Sequence, residues 1–376
     1  VSVVKRAWGS AFVRDDLRAA VVPWLVARVL VVGALAVARF AFDEIGSGQR
    51  PAQLGQGLFA WDAAFYRDLA EHGYAAVGRP SLRFFPLVPL LSRALGWVFF
   101  DHPAIALIVL ANLSALAFGA LLHQLVMRET GDARLASRAA WFGAIFPAAS
   151  VLVMGYAEAT AMALAVGVFL AMRSKRWWLA AGLGLMVGLA RPVGVLLVLP
   201  LAIEAARGID TAPTRERMRR AIAVVSPAIG LVSYLVWAGL RFGDALEPIT
   251  YQNRSTLRGG FVDPFTRVVD AASELFDGRL GPAVHVGWAA GFLVLAFVVA
   301  RRLPASYAAY GVATVVLALS ASNLDSLERY AMSAFPLLIG LAMITSRPDA
   351  ERAALGIAAG GLVGYGLAAF LGLAVP

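Results

Sequence analysis

The sequence predicts an all-α polytopic membrane protein with about 11 transmembrane helices, and two observations carry that prediction. Of 376 residues, 60% are hydrophobic and the mean hydropathy is +0.73, whereas soluble globular chains run nearer about 45–50% apolar. Apolar runs of about 18 or more residues also recur from one end of the chain to the other, each long enough for a hydrocarbon layer about 30 Å thick. The bilayer is therefore the expected solvent, and 1–376 the expected single polytopic domain.

Taken in order, the first run is AVVPWLVARVLVVGALAVARFAF (20–42). A polar stretch, 43–102, follows as the first outer loop. Within it, FAWDAAFYRDLAEHGY (59–74) places Trp61, Phe65 and Leu69 at i, i+4 and i+8, the pattern of a helix lying in the membrane interface. RFFPLVPLLSRALGWVFF (83–100) is apolar but short and holds two prolines, which predicts a re-entrant or interfacial helix. Further spans are read at 103–127, 136–154, 157–173, 177–190, 192–206 and 219–241. The pairs flanking Gly155 and Arg191–Pro192 are the weakest, because one bent helix would give the same pattern. Residues 242–282 form the fourth outer loop, and spans at 283–300, 304–321, 331–346 and 353–374 complete the chain. The glycine run 182–188 lies inside a span and reads as a close-packing helix face, not a phosphate cradle.

Orientation follows from the basic residues. With the N-terminus inside, the inner segments hold 19 Lys and Arg (Lys5, Arg6, Arg14, Arg18, Arg128, Arg134, Arg138, Arg173, Lys175, Arg176, Arg207, Arg215, Arg217, Arg219, Arg220, Arg301, Arg302, Arg347 and Arg352), mostly in short loops. The outer segments hold 12, spread over two long loops. Short loops decide orientation, so the reading is a cytoplasmic membrane protein with its N-terminus cytoplasmic and its C-terminus outside. The N-terminal stretch mixes both charges and lacks a small-residue cleavage site, so it does not read as a secretory signal. The net charge of +9 fits this loop bias, and no nucleic-acid partner is expected. There is no cysteine, which excludes disulfides, thiolate chemistry and Cys-ligated metals. The four histidines show no zinc-binding spacing, so no cofactor is expected and the sequence indicates no divalent metal.

The unusual polar residues gather at the predicted outer helix ends. They include Trp61–Asp62, Arg83, Tyr156, Glu158, Arg191, Gln252, Arg329 and Tyr330. Glu158 and Arg191 sit in short turns hemmed by apolar sequence. They read either as an ion pair tying helices together or as groups of an outward cavity. Acids that move a proton and arginines that hold an anion make a specific combination. Aromatics such as Trp61, Tyr66 and Tyr74 can line a sugar site. A cavity open to lipid and facing away from cytoplasmic nucleotides fits glycosyl transfer from a polyprenyl-phosphate sugar.

The order of motifs resembles the PIG-V mannosyltransferase family. FAWDAAFYRDLAEHGY is followed by RFFPLVPLL, FPAASVLVMGYAEA, ARPVG, FGDALEPITYQ and LERYAMSAFPL, together covering about residues 20–345. The resemblance implies a GT-C glycosyltransferase fold and an inverting enzyme. It implies a polyprenyl-phosphate sugar donor, usually mannose, and a lipid-linked or glycolipid acceptor. Asp62 occupies the place of the family's catalytic acid. Tyr156, Glu158, Arg191, Arg329 and Tyr330 are the implied donor phosphate and sugar contacts. Trp61, Tyr66, His72, Tyr74, Arg83 and Gln252 are the candidates for lining the cavity or meeting the acceptor. The chain departs from bacterial relatives after Gln252, where they place Trp and Arg and it reads QNRSTLRGG.

Other readings stay open. Asp62 also fits a helix N-cap or interfacial anchor, and Asp68 and Glu71 fit a solvated surface. A lipid-sugar transporter or flippase would need polar residues along the spans. Here only Arg28, Arg39 and His123 fall within spans, none with an obvious partner, and the inner halves read as apolar. A catalytically silent scaffold subunit would be expected to lose the acids of the outer face.

Overall fold

The computed structural model describes residues 10–46, 48–255, 257–276 and 280–376. Lys5, Arg6 and Arg279, three of the charges counted for orientation, lie outside these. The described chain is helical. Beyond helices and turns it has one isolated antiparallel bridge, Phe261 to Ala321.

Helix α1 is Ser10–Ile45. The first long loop carries α2 (Ala52–Gln56), α3 (Asp62–His72), α4 (Tyr74–Val77) and α5 (Leu87–Gly96). Then come α6 (Pro103–Thr130), α7 (Ala133–Ile145), α8 (Glu158–Arg173), α9 (Trp177–Ala190), α10 (Val198–Ala206) and α11 (Thr214–Phe242). The last set is α12 (Glu247–Thr250), α13 (Pro264–Phe276), α14 (Leu280–Arg302), α15 (Ala305–Leu319), α16 (Leu327–Met332), α17 (Phe335–Ile344) and α18 (Pro348–Phe370). Among the described residues five helices are long and apolar enough to cross a membrane: Arg14–Ile45, Pro103–Thr130, Thr214–Phe242, His285–Arg302 and Pro348–Phe370. The apolar helices between them are shorter.

Local chemistry sets the boundaries. Helix α6 opens on Pro103, whose missing N–H costs nothing at a helix start, and closes on Gly131 at φ 70°. The Asp132 carboxylate then caps α7 by accepting from the Arg134 and Leu135 N–H groups. Neither weak pair is a bent helix. Helices α7 and α9 end outright, and Pro147–Leu152 and Pro192–Leu197 continue as 3₁₀ turns. A proline that cannot donate to the ladder stops each one.

Short turns make successive helices antiparallel, so the chain's connections divide between two ends of the bundle. One end gathers the long first loop, the Gly155 turn, the Arg191–Pro192 break, the 243–263 loop and the segment before α16. The other end carries the basic turns at 174–176, 207–213 and 345–347. Helices α9 and α11 approach closely. A Cβ on Gly188 would strike the Pro227 carbonyl, and one on Gly230 the Leu185 carbonyl.

Three expectations change. The amphipathic stretch at 59–74 is helical only over Asp62–His72, ended by Gly73 at φ 79°. Its apolar face turns into the protein. Leu69 and Tyr66 are buried, and Phe65 stacks on Phe84 with centroids 4.9 Å apart. At 83–100, Leu90 and Leu95 of α5 and Trp97, Val98 and Phe100 in the turn after it are exposed. The span arginines and His123 do have partners. Arg28 donates to Asn112 Oδ1 at 2.8 Å and to the Leu152 carbonyl at 3.1 Å. Arg39 donates to the Leu54 carbonyl at 3.2 Å and 3.1 Å, and His123 Nδ1 lies 2.6 Å from Asp16. The basic end is also less apolar than its sequence implied. There Arg173 makes a two-pronged bond to Glu129 at 2.7 Å, and Ser306 donates to Glu204 at 2.7 Å. Each partner lies on another element, so the periodicity of a single helix could not pair them.

Candidate functional site

The site forms where two strained turns bring two short helices together. Trp61 sits at φ 61°, ψ −128°, a conformation that costs a non-glycine residue about 1–3 kcal/mol. Its indole N–H donates to the Ala369 carbonyl at 2.8 Å, which ties the turn to the end of α18. The turn places Asp62 at the first position of α3, where the helix N-terminus favours a negative charge. Ser326, at φ 64°, does the same for α16. Its hydroxyl donates to the Pro376 carbonyl at 3.0 Å, and Arg329 follows three residues later.

A chain of alternating charges results. Arg329 Nη1 donates to Asp62 Oδ2 at 2.8 Å, and its Nε lies 3.5 Å from Glu158 Oε1. The same Glu158 oxygen is 2.6 Å from Arg191 Nη1. On the other side, Arg83 Nη2 stands 3.8 Å from Asp62 Oδ1, outside hydrogen-bond reach. Glu158, Arg191 and Arg329 are all buried. Charges this deep persist only because each faces an opposite one. For Arg329, burial works against the charge, but Asp62 and then Glu158 outweigh it and hold the guanidinium firmly protonated. The Tyr156 hydroxyl accepts from the Asp62 backbone N–H at 3.2 Å, so this buried phenol braces the turn.

Tyr330 is the centre of the cationic side. The Arg258 guanidinium stacks over its ring at 4.2 Å, and those of Arg191 and Arg329 lie at 5.2 Å. Burial would raise its pKa, yet Arg329, Arg258 and Arg191 together hold the phenol below the ordinary tyrosine range.

A cavity of about 340 Å³ opens beside these groups. Asp62, Tyr66, Arg83, Glu158, Arg191, Gln252 and Tyr330 all line it. Trp61, Tyr156 and Arg329 are not part of this lining, and Arg329 meets it through Asp62, Glu158 and Tyr330. Two expected lining residues stand elsewhere. His72 is exposed at the far end of α3. Tyr74 is buried against Tyr234 and Trp237, with its hydroxyl donating to the Phe84 carbonyl at 2.6 Å. Gly73 breaks the helix between them and turns both away from Asp62.

The lining also includes a residue absent from the sequence candidates, Arg258. It reaches the cavity because its loop is sewn to the segment after α15. The Asn323 N–H donates to the Arg258 carbonyl at 2.9 Å, and the Ser322 N–H to the Gly260 carbonyl at 3.1 Å. Gly259, at φ +70°, permits the crossing, since a Cβ there would strike the Ser322 hydroxyl. The available signal was Arg258–Gly259–Gly260 itself, a cation beside two glycines in an outer loop. Among the described residues no three His, Asp or Glu side chains gather as a metal site.

The arrangement can bind an anion against Arg191, Arg258 and Arg83, and it can take a proton on Asp62. Comparison with protein-family models and with curated proteins finds no match for the chain.

Proposed function

We propose that this cavity is the active site of an inverting glycosyltransferase with a GT-C-like arrangement of 11 spans. It moves a sugar, mannose in the first instance, from a polyprenyl-phosphate donor to a hydroxyl of a lipid-linked acceptor. The observation that carries the reading is the asymmetry of the Asp62 carboxylate. Oδ2 accepts from Arg329 at 2.8 Å, while Oδ1 accepts no hydrogen bond among the described residues, Arg83 standing 3.8 Å from it, and the side chain lines the cavity. One oxygen is oriented and the other is free to accept a proton. The order of motifs resembling the PIG-V family supports the same reading.

In this mechanism the acceptor hydroxyl attacks the anomeric carbon from the face opposite the phosphate. Its proton passes to Asp62 Oδ1 as the bond between that carbon and the phosphate oxygen breaks. Polyprenyl phosphate leaves with one more negative charge than it carried in the donor. Arg191 and Arg258 take up that charge, and Tyr330 between them donates a hydrogen bond to the phosphate. Glu158 holds Arg191 in place, and Arg329 is a positioning residue for Asp62.

The test is transfer of labelled mannose from polyprenyl-phosphate mannose to lipid in membranes containing the protein. Absence of any new glycosidic bond with donor sugars of this class ends the proposal. The outer-face assignment is tested separately in the cysteine-free chain. An Asn253→Cys variant reacts with an impermeant thiol reagent from outside the cell, and Thr211→Cys only after lysis. The reverse pattern places the site on the cytoplasmic face.

The buried and part-buried polar contacts at the basic end, His123 with Asp16 and Arg173 with Glu129 and Glu204, favour a second reading, a lipid-sugar transporter, since they add polar groups on the other side of the bundle. Purified protein that moves a labelled polyprenyl-phosphate sugar across vesicles without making a glycosidic bond selects that alternative.

A further inference from the structure

A second cavity lies away from Asp62, at the basic end of the bundle. It measures about 420 Å³, and the ends of α8 and α10, the turn at 174–176, the 207–213 loop and the start of α11 form its walls. Four basic side chains line it, Arg173, Lys175, Arg207 and Arg220, against two acids, Glu204 and Glu216. The lining therefore carries two more positive charges than negative ones, counting these six groups.

Acids fix three of these cations in place, and since Glu129, just outside the lining, takes Arg173 in two bonds of 2.7 Å, the surplus with it counted is one positive charge. Glu216 grips the buried Arg220 guanidinium at 2.6 Å and 3.1 Å, and that guanidinium also donates to the Ala205 and Arg207 carbonyls at 2.9 Å and 2.7 Å. Arg220 stands over the Trp177 ring at 5.4 Å, so the tryptophan forms an apolar wall beside the charge. Glu204 is buried and shared. Arg173 reaches it at 3.4 Å, Arg207 at 3.0 Å and the Ser306 hydroxyl at 2.7 Å. Arg207 uses Nη1 for this pair and leaves the rest of its fork half-exposed at the rim. Lys175 is exposed, and among the described residues its ammonium has no hydrogen-bond or ion-pair partner, although its field reaches Glu216. The pocket thus offers rim cations on a rigid cationic floor.

Trp177 gives the cavity an apolar wall, and Trp178, next to it at the start of α9, is exposed. A soluble anion needs only the basic pocket. An amphiphile with an anionic head uses both the pocket and the apolar surface next to it, at the end of helices apolar enough to lie in a bilayer. We infer that this cavity is a binding site for the phosphate head of an anionic phospholipid, with Lys175 and Arg207 as its rim contacts and Arg220 as its fixed floor.

The site is separate from the proposed catalytic cavity, and the inference stands whether or not glycosyl transfer is the activity. The test is thermal unfolding of the purified full chain in neutral detergent, titrated with phosphatidylglycerol, phosphatidylcholine or inorganic phosphate. Phosphatidylglycerol raises Tm saturably, and the other two do not. Each basic residue near an anionic lipid surface contributes enough to change affinity about fivefold. Lys175→Ala with Arg207→Ala therefore weakens the phosphatidylglycerol response about 25-fold. Arg352→Ala serves as the control for general surface charge, since Arg352 is exposed and bonds only near its own helix start, to Asp349 and Pro348. It leaves the response unchanged. Lys175→Ala alone, which removes no internal bond, weakens the response about fivefold and keeps the experiment decisive if the double variant folds poorly. Equal shifts from phosphatidylcholine or from inorganic phosphate, or an undiminished response in Lys175→Ala, overturn the assignment.

Discussion

Replacing Asp62 by Asn tests the mechanism most directly, because it removes the base and disturbs little else. Asn matches Asp in size and keeps an oxygen that can accept from Arg329 at the same 2.8 Å. Arg329 also retains Glu158 at 3.5 Å and the faces of Tyr156 and Tyr330, so it is not left as a buried charge alone. Exchanging a charged for a neutral acceptor costs about 1–1.5 kcal/mol of stability. The catalytic cost is much larger. A positioned general base contributes about 10²–10⁴ in rate, or roughly 3–5.5 kcal/mol of barrier. Activity therefore falls at least about 100-fold while the folded protein remains abundant. Mannose transfer at saturating donor, normalised to protein in the membrane, measures the first, and thermal unfolding of the purified variant measures the second. Asp62→Glu gives the matching control. It keeps the carboxylate but moves it by more than 1 Å, enough to cost about 100-fold by misplacement. Turnover of Asp62→Asn within about threefold of the parent refutes the role given to this side chain.

Arg258→Ala removes the guanidinium over Tyr330 and raises KM for the donor about tenfold or more, with a smaller change in kcat, as donor titrations will show; an unchanged KM removes Arg258 from the phosphate site. Arg191→Ala raises KM in the same way and also destabilises by about 3–5 kcal/mol, because it strips a buried partner from Glu158; unfolding midpoints check the second effect. Tyr330 ionises below the ordinary tyrosine range in the folded protein, so raising the pH through its folded value favours the folded state until the unfolded phenol ionises as well. Ultraviolet titration finds a tyrosinate step ahead of the others, and Tyr330→Phe abolishes it. Gly188→Ala forces a methyl against the Pro227 carbonyl, costs about 1–3 kcal/mol and lowers Tm by several degrees, whereas Gly182→Ala, with open space around its Cβ, leaves Tm unchanged.

Much of this architecture is readable along the chain. Pro192 ends a helix where the sequence placed a break, because a missing N–H and a fixed φ act locally, whereas the span read at 136–154 ran through Pro147 and its helix stops at Ile145. Asp132 caps α7 through N–H groups only two and three residues away. The residues of the first cavity were also found at helix ends, because ionisable groups beside long apolar runs stand out. Placement within the cavity was not readable. Arg329 looked like a phosphate contact, but it is not part of the lining and meets it through Asp62, Glu158 and Tyr330. His72 and Tyr74 looked like lining until Gly73, at φ 79°, turned the chain. Arg258 went unnoticed because its loop has no periodicity, and only its bonds to the segment after α15 bring it inward.

By itself the sequence determined that this protein is a series of apolar helices, where most of them stop, and which polar residues collect at their ends. Those properties depend on composition, caps and breakers within a few residues. Only the tertiary structure decided that Arg329 meets Asp62 across 267 positions of chain and that Glu158 is shared between two arginines. Only it closed the second basic cavity between the ends of α8, α10 and α11. The reason is range. Hydrophobic burial fixes each helix through its neighbours in sequence, whereas an ion pair forms wherever packing brings two charges within about 4 Å, and that distance is a property of the assembled bundle.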